Sequence, residues 1–196
     1  FRACCVAAGR HLEARGQDAT AWIKAELSPP FLEHLSFRLG NQLFFVRIED
    51  EAGRVHGPGS ARGLERIASK CHGHACVMPM NQEGREWKPV YPGWGLLDLA
   101  SRRRIDPPSL VTDGDTVITD WELHDFAVQT VRRHLKDEGL TVVSWAGDPE
   151  VDPSLWIERD GKMEWVLVRA VRYPARRAAV PRQIAAIARD CAAIAS

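Results

Sequence analysis

The 196 residues predict a mixed α/β (α+β) fold, with a small N-terminal α+β module followed by a helix–strand–hairpin–helix core. Three observations carry that prediction. Apolar residues recur at helical spacing behind a capping signature at Thr119. Two β-branched and aromatic runs flank the dipeptide Asp160-Gly161. Short apolar runs alternate with Gly- and Pro-rich stretches between 43 and 118. With 45% hydrophobic and 27% charged residues the chain is globular in composition, which excludes the disordered, collagenous and disulfide-scaffold classes.

The sequence opens on Phe1, and the alanine-rich residues 1–27 are read as an N-terminal helical or appended segment outside the fold. Residues 28–110 form the α+β module. Ser28-Pro29-Pro30 reads as a helix start, and Phe31, Leu35 and Leu39 continue it at four-residue spacing until Gly40 stops it. Leu43–Ile48 is a strand and Gly53 a turn. Ser60 then opens a helix burying Leu64, Ile67 and Ala68, with Gly73 as its C-cap, and Ala75–Met80 is a second strand. From 81 to 118, Pro89, Pro92-Gly93, Gly95 and Pro107-Pro108 allow only short strands and turns. A boundary is expected within 106–118, with one continuous domain as the alternative.

Residues 119–196 form the second part. Thr119-Asp120-Trp121-Glu122 is a capping box, and Trp121, Phe126 or Ala127, Val128, Val131 and Leu135 follow at helical spacing to Gly139. Leu140–Trp145 is a strand. Ser154–Arg159 and Met163–Arg172 are hairpin strands joined through Asp160-Gly161. Pro181 precedes a terminal helix with a stripe of Ile184, Ala185, Ile187, Ala188 and Cys191.

Lys plus Arg and Asp plus Glu both number 26, so the net charge is zero and any charged site must be local. No membrane span or secretory h-region is found, which makes the cytoplasm the default address and argues against a membrane partner. Five cysteines, an odd number, point to reduced thiols. Four possible zinc ligands, Cys71, His72, His74 and Cys76, fall in six residues. Two readings stand for them: a zinc-stabilised interaction module, or a helix end followed by a buried small residue on the next strand. Gly57–Gly63 similarly reads as an anion-receiving loop or as a plain loop and cap, and it lacks the Lys-Ser/Thr of a P-loop. His124, Asp125 and His134 read as ordinary polar helix positions. The seven tryptophans serve core packing or, in part, base stacking.

Charge is segregated near the C-terminus. Asp148, Glu150, Asp152, Glu158, Asp160 and Glu164 outweigh Arg159 and Lys162, and then Arg169, Arg172, Arg176, Arg177, Arg182 and Arg189 oppose only Asp190. Either ordinary salt bridges pair this surface, or it holds a divalent metal beside a phosphate backbone. In the latter case Arg169, Arg172, Arg176 and Arg177 would face nucleic acid. A protein partner is the other candidate.

Metal-dependent phosphodiester cleavage needs converging carboxylates on a hard cation, plus a positive group for the developing charge. Glu122 lies in the first turn of the capped helix, Asp152 precedes a strand within Val151-Asp152-Pro153-Ser154, and the next strand runs Glu164-Trp165-Val166-Leu167-Val168-Arg169. A helix bearing an acid, a strand, an Asp before a hairpin and an apolar strand ending in a cation together resemble the core of the PD-(D/E)XK nuclease superfamily, over about residues 119–175. The resemblance implies that Glu122 and Asp152 ligate magnesium together with a further acid, and that a lysine two residues beyond that acid orients the attacking water. This chain departs from the pattern: Leu167 stands in the seat of the further acid and Arg169 in that of the lysine. The expectation is therefore a non-catalytic binding or scaffold protein with a degenerate nuclease-like core and no cofactor. The alternative is a magnesium-dependent phosphodiesterase in which Glu158 and Lys162 replace the missing groups. The capping box alone also accounts for Glu122, and an Asx turn before Pro153 for Asp152.

Overall fold

The chain divides into two units, Phe1–Val117 and Ile118–Ser196, and the computed structural model describes residues 1–24 and 34–195. Both helices and sheets are present, as the mixed composition of apolar periods requires.

The first unit is built on a sheet in the order β1-β2-β3-β4-β6-β7, with β5 paired to β4 off that path. Its strands are β1 (Thr20–Lys24), β2 (Leu35–Leu39), β3 (Gln42–Asp50), β4 (His74–Glu83), β5 (Glu86–Pro89), β6 (Leu96–Asp98) and β7 (Arg104–Ile105). Helix α2 (Ala61–Lys70) crosses between β3 and β4, which run parallel. Strands β3 and β4 have buried residues on both faces, as strands covered on two sides do. One face, with Phe44, Val46, Ile48, Cys76, Met78 and Met80, packs against α1 (Arg2–Gly16) through Cys4, Cys5, Ala8 and Leu12. Residues 1–16 are thus a core element of the fold and not an appendage. Their alanine-rich composition leaves no strong polar face, so the apolar stripe is invisible until the sheet is in place.

The expected helix over 28–39 is not found at Leu35–Leu39, which is strand; residues 28–33 of that expectation lie outside the described residues. Leu35 and Leu39 are four apart, a spacing that one helical face and every second pair of strand positions share. Phe37 between them decides the matter, because Leu35, Phe37 and Leu39 all enter the same core and Phe37 stacks on Phe44 at 4.9 Å. Gly40 does not end a helix: with φ +55° it makes a two-residue turn between Leu39 and Gln42, which face each other across the β2–β3 pair.

The second unit runs α3 (Asp120–Asp137), β8 (Thr141–Trp145), β9 (Leu155–Arg159), β10 (Lys162–Val166) and α4 (Ile184–Ala195), the three strands forming an antiparallel sheet in the order β10-β9-β8. Asp160 and Gly161 turn the β9–β10 hairpin with φ +51° and +73°, the two positive values a type I′ turn needs. Strand β10 stops at Val166, short of the expected Arg172. Val166 faces Leu155, the first residue of β9, so no ladder partner remains; Val168 N–H donates instead to Ser154 Oγ at 3.1 Å. Val128 and Leu135 of α3 pack with Leu155, Ile157 and Val168 to form the core of this unit. Among the described residues no helix is long and apolar enough to cross a membrane.

Candidate functional site

Helix α3 begins with a complete capping box. Thr119 N–H and Oγ1–H each donate to Glu122 Oε2 at 2.9 Å, and Glu122 N–H donates to Thr119 Oγ1 at 3.3 Å. Glu122 is fully buried and spends one carboxylate oxygen on its own helix start. The stripe that α3 buries includes Trp121, His124, Asp125, Val128 and Leu135, so two polar side chains sit in register with apolar ones, whereas Phe126 is 40% exposed. Neither His124 nor Asp125 is therefore an ordinary polar position. The signal was in the sequence: from Trp121 the steps i+3, i+4 and i+7 land on His124, Asp125 and Val128.

Asp152 lies in the turn entering β9. Its Oδ2 accepts from Arg169 Nη2 at 2.6 Å, and Arg169 Nη1 donates to Val168 O at 2.8 Å. Both side chains are largely covered, at 15% and 23% exposure. The Asx turn expected of Asp152 is made by Asp148, whose Oδ1 accepts from Glu150 N–H at 2.9 Å. His124 stands beside the pair. Burial pushes its pKa below the ordinary value, the Arg169 charge lowers it further, and Asp152 and Asp148 act in the opposite sense. His124 Nε2 and Asp152 Oδ1 are both buried without a hydrogen-bond partner among the described residues.

The other sequence candidates are dispersed. Glu158 is exposed on β9, on the face opposite Leu155 and Ile157, and about 10 Å of strand separates it from Leu155. Lys162 is exposed at the far end of the hairpin, opposite Arg159. Leu167 contributes no donor atom. Arg172 is engaged by Asp120 at 3.0 Å and donates to Ile118 O, while Arg176 and Arg177 lie in the exposed stretch after β10.

Cys71, His72, His74 and Cys76 do not converge. Cys71 caps α2 and is buried, and His72 adopts the left-handed conformation that ends the helix, with φ +51°. His72 N–H bonds Ser69 O at 3.3 Å and Gly73 N–H bonds Ala68 O at 2.9 Å, the pair of bonds that defines a Schellman end. Gly73, expected as the cap, is needed for another reason: a Cβ there would approach Leu43 O to 2.9 Å. His74 faces Gln42 Oε1 at 2.9 Å and stacks on Phe44, and Cys76 is wholly buried in the core beneath α1, where desolvation raises its thiol pKa. In the loop before α2, Ser60 accepts from Gly63 N–H at 3.1 Å and Gly59 O accepts from Arg47 at 3.0 Å, which makes it a cap and a brace.

Among the described residues no three His, Cys, Asp or Glu side chains gather as a metal site would require. The donors around Asp152 suit magnesium poorly: one oxygen carries a guanidinium, Glu122 is tied into its cap, and Leu167 offers nothing. What the arrangement does chemically is hold a charge pair and a neutral imidazole under cover.

Comparison with curated proteins and with solved structures finds no match for the chain. Residues 121–194, which run from the first turn of α3 into α4 and so contain the Asp152–Arg169 pair and His124, match the family described as Domain of unknown function (DUF8840).

Proposed function

We propose that the Ile118–Ser196 unit is a non-catalytic binding or scaffold core of nuclease-like build, in which an ion pair stands in the seat of a catalytic metal. The observation that carries this reading is the 2.6 Å contact between Asp152 and Arg169. Arginine stays protonated at any working pH, so it cannot act as a proton acceptor, and its charge occupies the carboxylate oxygen that a cation would need. The helix–strand–hairpin–helix order supports the nuclease-like build, and the Leu167 substitution supports loss of the reaction. The free, buried state of all five cysteines suits a reducing, cytoplasmic setting.

Of the four arginines expected to meet nucleic acid, Arg169 and Arg172 are committed to Asp152 and Asp120, which leaves Arg176 and Arg177 with Tyr173, 92% exposed, as the contact surface of this unit. Two phosphate contacts would give a slope of log affinity against log salt of about −2. Such binding is weak and sequence-independent.

The test combines cleavage and stability. The purified chain is incubated with single- and double-stranded DNA and RNA in magnesium or manganese, beside Asp152→Asn. No metal-dependent cleavage is expected from either protein. Asp152→Asn should lower stability by about 1.5–3 kcal/mol, the usual cost of losing a charge-assisted bond. Magnesium should leave the melting temperature of the wild type where it is. Metal-dependent cleavage abolished by Asp152→Asn, or a melting temperature raised by magnesium, would overturn the reading.

A further inference from the structure

In the first unit, α1 and the β4–β5 hairpin border an open cleft of about 720 Å³, within the range of roughly 300–1,000 Å³ typical of small-molecule sites. The helix contributes one row, Arg2, Val6 and Arg10, spaced four residues apart and so stacked on one face. The hairpin contributes Arg85, Trp87 and Lys88, and Glu86 is the one carboxylate in the lining. Lys88 already pairs with Glu83 at 2.8 Å. Arg2, Arg10 and Arg85 are exposed and make no ion pair or side-chain hydrogen bond among the described residues. His11 lines the cleft too, but burial lowers its pKa and its Nε2 is engaged with Gly93 O at 2.9 Å, so it adds no charge near neutrality.

Three exposed guanidiniums without an ion-pair partner among the described residues thus line one cleft. Nothing in the folding of α1 calls for this arrangement, since the residues it buries are Cys4, Cys5, Ala8 and Leu12. Trp87 packs partly against the core and has the Arg54 guanidinium over its ring, 5.6 Å from the centroid, and its remaining surface lines the cleft beside the cations. Guanidiniums beside an indole recognise phosphate joined to a planar ring.

We propose that this cleft binds a ligand of the nucleotide class, its phosphates on Arg2, Arg10 and Arg85 and its base along Trp87. A free nucleotide and the end of a single strand share that chemistry. The site lies in a different unit from the Asp152–Arg169 pair and does not depend on the function proposed for that unit.

Calorimetric titration of the full chain with ATP, with inorganic triphosphate and with a short oligo(dA) tests it. ATP is expected to bind at least about tenfold more tightly than triphosphate, because the base contributes through Trp87. The variant R10E/R85E should weaken ATP at least tenfold with an unchanged melting temperature, both side chains being exposed and unpaired. Tighter binding of ATP than of oligo(dA) identifies a free nucleotide, and the reverse order a strand end, provided R10E/R85E abolishes it. No binding of either at millimolar concentration, affinity for triphosphate equal to that for ATP, or binding unaffected by R10E/R85E would overturn the proposal. Oligo(dA) binding lost in R176E/R177E but retained in R10E/R85E belongs to the other unit and counts against this site.

Discussion

Gly147 follows β8 and passes so close to α3 that a Cβ built on it would stand 1.7 Å from Asp125 Oδ1. No rotamer change relieves a clash of that depth, because Asp125 is fully buried and also accepts from Gln129 at 3.4 Å. Gly147→Ala should therefore destabilise the second unit by about 1–3 kcal/mol, the cost of forcing an extra methyl into a filled space. Urea unfolding followed by tryptophan fluorescence reads it, and an unchanged midpoint would mean that the α3–β8 approach is looser than described. His72 makes the complementary point. A glycine neighbours the end of α2, yet histidine takes the left-handed position and Gly73 is reserved for contact with Leu43 O. Which of two adjacent residues carries positive φ was not legible in Cys71-His72-Gly73-His74, because β3 decides it.

At the scale of elements, α3 and the β9–β10 hairpin were legible, and for local reasons. The capping box closes within Thr119–Glu122, and the Asp160-Gly161 turn needs nothing beyond its own dihedral angles. Thr119→Ala removes the acceptor for Glu122 N–H and the hydroxyl that bonds Glu122 Oε2, and should cost about 1 kcal/mol. The measurement is the urea midpoint set beside Thr130→Ala, whose hydroxyl bonds the preceding-turn carbonyl of Phe126 and whose loss should be nearly neutral. Equal effects of the two would remove the cap from the account of why Glu122 is buried. Strand β2 was misread because Leu35 and Leu39 satisfy both periods, and β10 was read too long because its sequence stays apolar after its partner strand has ended.

Across the whole molecule, protons give the widest test. His11, His74 and His124 all have pKa values held below the ordinary 6.5, in each case chiefly by burial. Their folded forms resist protonation while the unfolded chain accepts it, so the stability they contribute is complete above about pH 6.5 and is lost as pH falls below it toward the depressed folded values. The carboxylates Asp50 and Asp98 also lie below their ordinary 3.8, Asp50 through Arg54 and Asp98 through Ser101, so their contribution fails only at more acidic pH. Urea midpoints should accordingly fall between pH 7 and 5.5. His124→Asn should flatten that fall for the second unit, and a profile level down to pH 4.5 would contradict the burial of these rings.

The sequence by itself determined the mixed α/β class, the capped helix and the tight hairpin. Each is written in residues a few positions apart, where helical and strand periods and turn dihedrals act directly. Only the tertiary structure decided that α1 belongs to the core, that Arg169 closes on Asp152 seventeen residues away, that His124 is covered, and that three arginines from α1 and the β4–β5 hairpin share one cleft. Those outcomes depend on which faces of distant elements are buried against each other, and burial is a property of the packed chain that no local period encodes.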